Sequence, residues 1–174
     1  RTLGDAVARP YVARHFDEEA GKTTSGMVER ARAAFGKRIG AAAWLDAPTR
    51  KEALAKLDAV VAKVGYPAKG PNFDGLAIGP GAYLDNEIAV RRFWSAQGRA
   101  SLDQPVDREV WNLSPVTVNA SYSHTMNDLT LPAVVLTSPF LDADRTNAAN
   151  FGALGALIGF FNGVLIAYGQ IPSF

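Results

Sequence analysis

The chain has 174 residues, enough for one domain with its own core or for a slice of something larger, and its 48% hydrophobic and 20% charged composition is that of a globular protein. Eighteen basic against 17 acidic residues leave a net charge of +1. With no Lys/Arg run interleaved with aromatics, a nucleic-acid footprint is excluded as an expectation. The absence of cysteine excludes disulfides, thiolate metal sites and cysteine nucleophiles. The sequence opens on Arg1 and carries no secretory signal there, which reads as a mature, cleaved or truncated product.

The first half reads as helical. Leu3, Ala6, Val7, Tyr11, Val12 and Phe16 recur at helical spacing, with Pro10 as an expected kink or break. Asp17-Glu18-Glu19 reads as an acidic first turn. Met27, Ala31, Ala34 and Phe35 continue the period, and Gly36 and Gly40 mark the exit. Asp46-Ala47-Pro48-Thr49 starts another helix, with Asp46 or Thr49 as the cap. Its period predicts a helix through Leu57, Val60 and Val61, stopped by Gly65-Tyr66-Pro67.

A loop rich in Gly, Pro, Asn and Asp follows over 68–80, then a helix from Tyr83 to about Gln97 with Ile88, Phe93 and Trp94 on its apolar side. Pro105 and Pro115 bracket an irregular stretch around Trp111. Thr117–Tyr122 and Asp128–Leu131 read as short strands joined by a turn over 123–127, with Pro132 at a strand end. Residues 139–150 form a loop leading into a helix. Asp142-Ala143-Asp144 lacks the glycine and glutamate of a calcium loop.

Taken in order, these pieces form a recognisable succession. It runs through Leu3-Gly4-Asp5-Ala6, Trp44-Leu45-Asp46, Thr49-Arg50-Lys51 and Val64-Gly65-Tyr66-Pro67. Pro105-Val106-Asp107-Arg108 with Trp111, Val118-Asn119-Ala120, Asn127-Asp128, Leu131-Pro132-Ala133 and Asn150-Phe151-Gly152 follow. The series resembles the neprilysin and endothelin-converting-enzyme family of zinc metallopeptidases, especially bacterial oligopeptidase O, over nearly all of the chain up to Gly159.

The resemblance implies a mainly α fold with a few short β-strands (α+β). Residues 1–104 would belong to a helical lobe and its linker, and 105–174 to the start of a thermolysin-like catalytic lobe. It implies a substrate-binding role for Asn119 and Ala120, the pair that in this family lies on an edge strand and holds an extended peptide by its main chain. Ser121 stands where the family's aromatic is usual, with Tyr122 after it. The local alternative is a turn-proximal asparagine with no ligand. The resemblance also suggests an extracytoplasmic location.

Zinc in this family is held by His-Glu-x-x-His on a helix, where positions i and i+4 share a face, and the glutamate serves as general base. After Ile158-Gly159 this chain reads Phe160-Phe161-Asn162-Gly163-Val164. Phe160 and Val164 hold the ligand positions and Phe161 that of the base, and none has a lone pair or a proton to move. His15 and His124 are far apart and on different elements. The expectation is therefore no metal, cofactor or catalytic residue in this chain, a family member without activity of its own.

Two rival readings remain. After Arg145 no charged residue occurs, and 151–171 is long and apolar enough to span a bilayer at about 20 residues. Gly155, Gly159 and Gly163 supply a ridge of the kind that lets membrane helices approach. The chain would then be an interaction or membrane-tail protein, prone to self-association through an apolar patch. The other rival is an active peptidase whose zinc motif is encoded just downstream of a wrongly drawn gene boundary.

Overall fold

A computed structural model describes residues 3–168, with side chains described through residue 159. It is mainly helical, with helices α1 (Gly4–His15), α2 (Glu18–Ala41), α3 (Ala47–Asp58), α4 (Tyr83–Ala100) and α5 (Asn147–Tyr168). Strands β1 (Val61–Gly65), β2 (Ser121–Ser123) and β3 (Asp128–Pro132) form one small mixed sheet in the order β1-β3-β2, and a 3₁₀ turn over Ala133–Leu136 follows β3.

Helix boundaries follow local chemistry. The Asp17 carboxylate accepts the Glu19 N–H at 3.0 Å and starts α2, with Glu18 and Glu19 in the first turn facing the positive end of the helix dipole. Of the two caps open for α3, Asp46 fills the role, accepting the Thr49 N–H at 2.8 Å. Pro10 neither breaks nor ends α1, which runs on to His15. A proline's fixed φ is itself helical, so the helix continues at the cost of one missing N–H donor and of crowding between the ring and the Ala6 carbonyl.

Two expectations are corrected. Val60 and Val61 do not extend α3. That helix closes at Asp58 and Val61 opens β1, because the β-branched run Val60-Val61 and Val64 finds a parallel partner in β3, Val61 opposite Asp128 and Val64 opposite Leu131. Thr117–Ala120 is not strand. The Asn119 N–H turns back to the Thr117 carbonyl at 2.8 Å and the Ala120 N–H goes to Asn119 Oδ1 at 2.8 Å, so local bonds outcompete the ladder until Ser121.

Strand alternation divides the sheet into two unlike faces. Leu129 and Leu131 of β3, Ala62 and Val64 of β1, and Tyr122 of β2 face α2 and α5. Met27 and Val28 from α2, Leu57 from α3, and Leu154 and Ile158 from α5 complete that core. Leu131 and Leu154 are wholly buried, and each such side chain contributes about 1.5–3 kcal/mol by leaving water. The core thus draws on residues before and after the long 68–80 loop, and the parallel β1–β3 pairing ties the two stretches together.

Phe16 locks the junction of α1, α2 and β1. Its ring meets Tyr66 edge-on at 5.1 Å and rests on Gly21 and Gly65. A Cβ on Gly65 would lie 2.8 Å from that ring, and the residue's φ of +86° is unfavourable for any L side chain. The glycine of Gly65-Tyr66-Pro67 therefore serves packing as well as chain reversal.

Candidate functional site

β2 is an outer strand of the sheet, paired on one side with β3 and packed against α5. Asn119 and Ala120 stand immediately before it. Asn119 is exposed, whereas Ala120 is 3% exposed and belongs to the core. One end of the segment is thus anchored among apolar side chains while its amide side chain faces outward. Tyr122 takes the core side of β2, and its hydroxyl donates to Asn127 Oδ1 at 2.7 Å. Burial, and secondarily the Asp128 charge, raises the Tyr122 phenol above its ordinary value.

Asn127 shapes the turn that returns the chain to β3. It sits at φ +51°, a conformation asparagine tolerates better than most residues. Its amide nitrogen donates to the Lys56 carbonyl at 3.1 Å, linking the β2–β3 turn to the end of α3.

The other face of the sheet is polar and buried. Lys63 of β1 and Asp128 and Thr130 of β3 are 6%, 1% and 0% exposed. The Lys63 ammonium contacts Asp128 Oδ2 at 2.5 Å and donates to the Val110 carbonyl at 2.8 Å. Among the described residues, Thr130 Oγ1, Ser121 Oγ and Asp128 Oδ1 have no hydrogen-bond partner. Thr130 and Ser121 are register partners, so the polar layer reaches the first residue of β2. A lysine inside a short strand gave no sign of this burial, since its charge predicts a solvent position. The signal that could have found it is the carboxylate of Asp128, an acidic residue opening an otherwise apolar strand.

The donor set does not fit a zinc ion. Among the described residues, no group of three or more His, Asp or Glu could hold a metal. His15 ends α1 with its ring 5.0 Å from Tyr11, and His124 lies exposed in the β2–β3 turn. α5 carries helical backbone through the expected motif positions, but the side chains of Phe160, Phe161 and Val164 lie outside those described. By identity, all three lack a donor atom. Asp142 and Asp144 form a local turn. Asp142 Oδ1 accepts the Asp144 N–H at 3.0 Å, and Asn150 brackets the Asp142 backbone at 3.1 and 2.8 Å. Among the described residues no helix is long and apolar enough to cross a membrane, and the end of the expected span, 169–171, lies outside them.

Comparison with known proteins gives these features a family. The family model described as Peptidase family M13 matches residues 1–67. The neutral endopeptidase of Lactobacillus helveticus is 38% identical over 157 residues, covering 89% of this chain and 24% of its own length. Neprilysin-3 of Drosophila melanogaster is 32% identical over 164 residues, 90% of this chain and 21% of its own. Among solved structures, a Mycobacterium tuberculosis zinc metalloprotease in complex with inhibitor superposes with a TM-score of 0.85 at 38% identity, over 92% of this chain and 24% of that one. PepO from Lactobacillus rhamnosis gives 0.79 at 31% identity, over 91% and 26%. The ordered motifs, the helical fold around a small mixed sheet and these likenesses agree: the chain matches Peptidase family M13 over residues 1–67, resembles its members over about nine tenths of its own length, and spans about a quarter of the length of those relatives.

Proposed function

We propose that this chain is the peptide-docking portion of an M13 peptidase fold and that it does not hydrolyse peptide bonds by itself. The observation that carries the reading is β2, an outer strand flanked by α5 and preceded by an exposed asparagine and a buried alanine. An extended peptide would add to that strand through main-chain hydrogen bonds, with Asn119 holding its backbone. Residues 1–104 and 105–174 then correspond to the helical lobe with its linker and to the opening of the catalytic lobe. Hydrolysis in relatives named zinc metalloproteases needs a metal, and Phe160, Phe161 and Val164 offer none of the nitrogen or oxygen donors it requires.

The test is to dialyse the purified chain against zinc, assay bound metal, and follow both cleavage of a quenched peptide and binding of a labelled uncleaved one. Binding that weakens in Asn119→Ala, with neither stoichiometric zinc nor turnover, is expected. Stoichiometric zinc with sustained turnover would overturn the reading.

A second reading, an interaction protein, draws support from exposed apolar side chains at both ends of α4, Leu84 at 68% in its first turn and Leu102 at 78% after its last. Light scattering separates the two. A concentration-independent monomer removes self-association through that surface.

A further inference from the structure

The segment 105–118 carries neither helix nor strand, yet it leads directly into Asn119 and β2. Its position therefore depends on individual ties. Arg108 reaches the Met126 carbonyl at 3.5 Å on the exposed side, and the Val134 N–H reaches the Pro115 carbonyl at 3.0 Å. Trp111 of the segment is buried, and next to it the Lys63 ammonium makes a part-buried tie to the Val110 carbonyl. Lys63 is itself fixed by Asp128 across the β1–β3 ladder.

An ion pair this deeply buried is a poor device for stability alone. Desolvating two charges offsets most of their attraction, and an apolar pair of similar volume would serve the core equally well. What an apolar pair cannot do is donate to a backbone carbonyl in a covering segment. Ser121, on the same polar face, extends this layer to the docking strand.

We propose that Lys63 and Asp128 are positioning residues for peptide docking: through the Val110 carbonyl their pair clamps segment 105–118 to the sheet and so sets Asn119 and Ala120 at the start of β2. This rests on the docking reading above. Removing only Lys63 would strand a buried carboxylate, so the informative variant is the double substitution Lys63→Met with Asp128→Ala, which removes both charges without adding bulk at the buried Asp128 position.

The experiment pairs amide hydrogen exchange over 105–120 with anisotropy of a fluorescein-labelled extended apolar decapeptide, on the unmodified chain, the double variant and Asn119→Ala. The double variant is expected to melt near the unmodified chain, with exchange in 105–120 about tenfold faster and peptide Kd about tenfold weaker. Asp128→Asn, which keeps the shape and weakens the pair, is the second variant should the double one not fold. It is expected to show the same two changes at smaller size, and Lys63→Arg, which keeps the charge and the N–H donors, to leave both near the unmodified values. Unchanged exchange in 105–120 overturns the clamp. Faster exchange with unchanged Kd overturns the positioning role. A failure of the unmodified chain to bind peptide overturns the docking reading and the positioning role with it, and the exchange data alone then decide the clamp.

Discussion

Asn127 concentrates three demands in one residue: a left-handed backbone, an acceptor for the Tyr122 hydroxyl and a donor to the Lys56 carbonyl. Alanine meets none of them. Glycine meets only the first. Asn127→Ala is therefore expected to destabilise the chain by about 2–3 kcal/mol, and Asn127→Gly by about 1 kcal/mol less, in paired urea titrations. Equal losses in the two variants would mean that the backbone conformation carries no strain. Tyr122 adds a pH dependence on the same turn. Its folded-state pKa is raised by burial and by Asp128, so its contribution is fully present below the unfolded value of about 10 and is lost as pH rises through the folded value. Ultraviolet titration should show a late-ionising tyrosine component, to which Tyr66, raised by its hydrogen bond to Glu18, also contributes, and Tyr122→Phe should reduce that component. A single tyrosinate transition that Tyr122→Phe leaves unaltered in shape would contradict the assignment.

Between residues and the whole, the elements show where a sequence pattern decides structure and where partners do. Caps were legible because their chemistry is local. Asp17 and Asp46 each satisfy a helix N-terminus through a carboxylate within three positions of the N–H that donates to it. The carboxyl of Asp46 is held below its ordinary value by hydrogen bonding to Thr49, with Arg50 adding to the effect. A depressed folded pKa gives stability that is present above the unfolded value and lost as pH falls through the folded one. Asp46→Ala should lower the melting temperature at neutral pH, and the gap should close in acid. A gap that persists at low pH would assign the loss to helix propensity instead. β1 was not legible as a strand, because Val60 and Val61 fit the tail of a helix until their partner in β3, distant in sequence, is known. The polar underside of the sheet escaped for the same reason. Lys63 is buried only because Asp128 and Val110 meet it there. Asn119 and Ala120 could be singled out only through the ordered motifs of a family, since one exposed and one buried residue before a three-residue strand have no pattern of their own.

At the scale of the molecule, the fold supplies a platform whose chemistry depends on a few positions of α5. That helix is seated by Leu154 and Ile158 in the core, by Gly155 against Met27, and by Arg30 over the Phe151 ring at 5.6 Å. Its helical backbone runs on past Gly159. On the docking reading proposed above, supplying donors at these positions should confer metal binding before it confers catalysis. The triple substitution Phe160→His, Phe161→Glu and Val164→His would place two imidazoles at i and i+4, a spacing that lets both grip one ion. Zinc affinity should rise by at least about tenfold over the unmodified chain at pH 8, and the gain should disappear below about pH 6 as the imidazoles take up protons. Peptide turnover should still be absent, because the sequence after Arg145 contains no acidic residue to serve as a third ligand. Competition with a chromophoric chelator measures the first outcome and a quenched peptide the second. Turnover by the triple variant would mean that this quarter of the fold can assemble a complete zinc centre, and the docking-only reading would have to be given up.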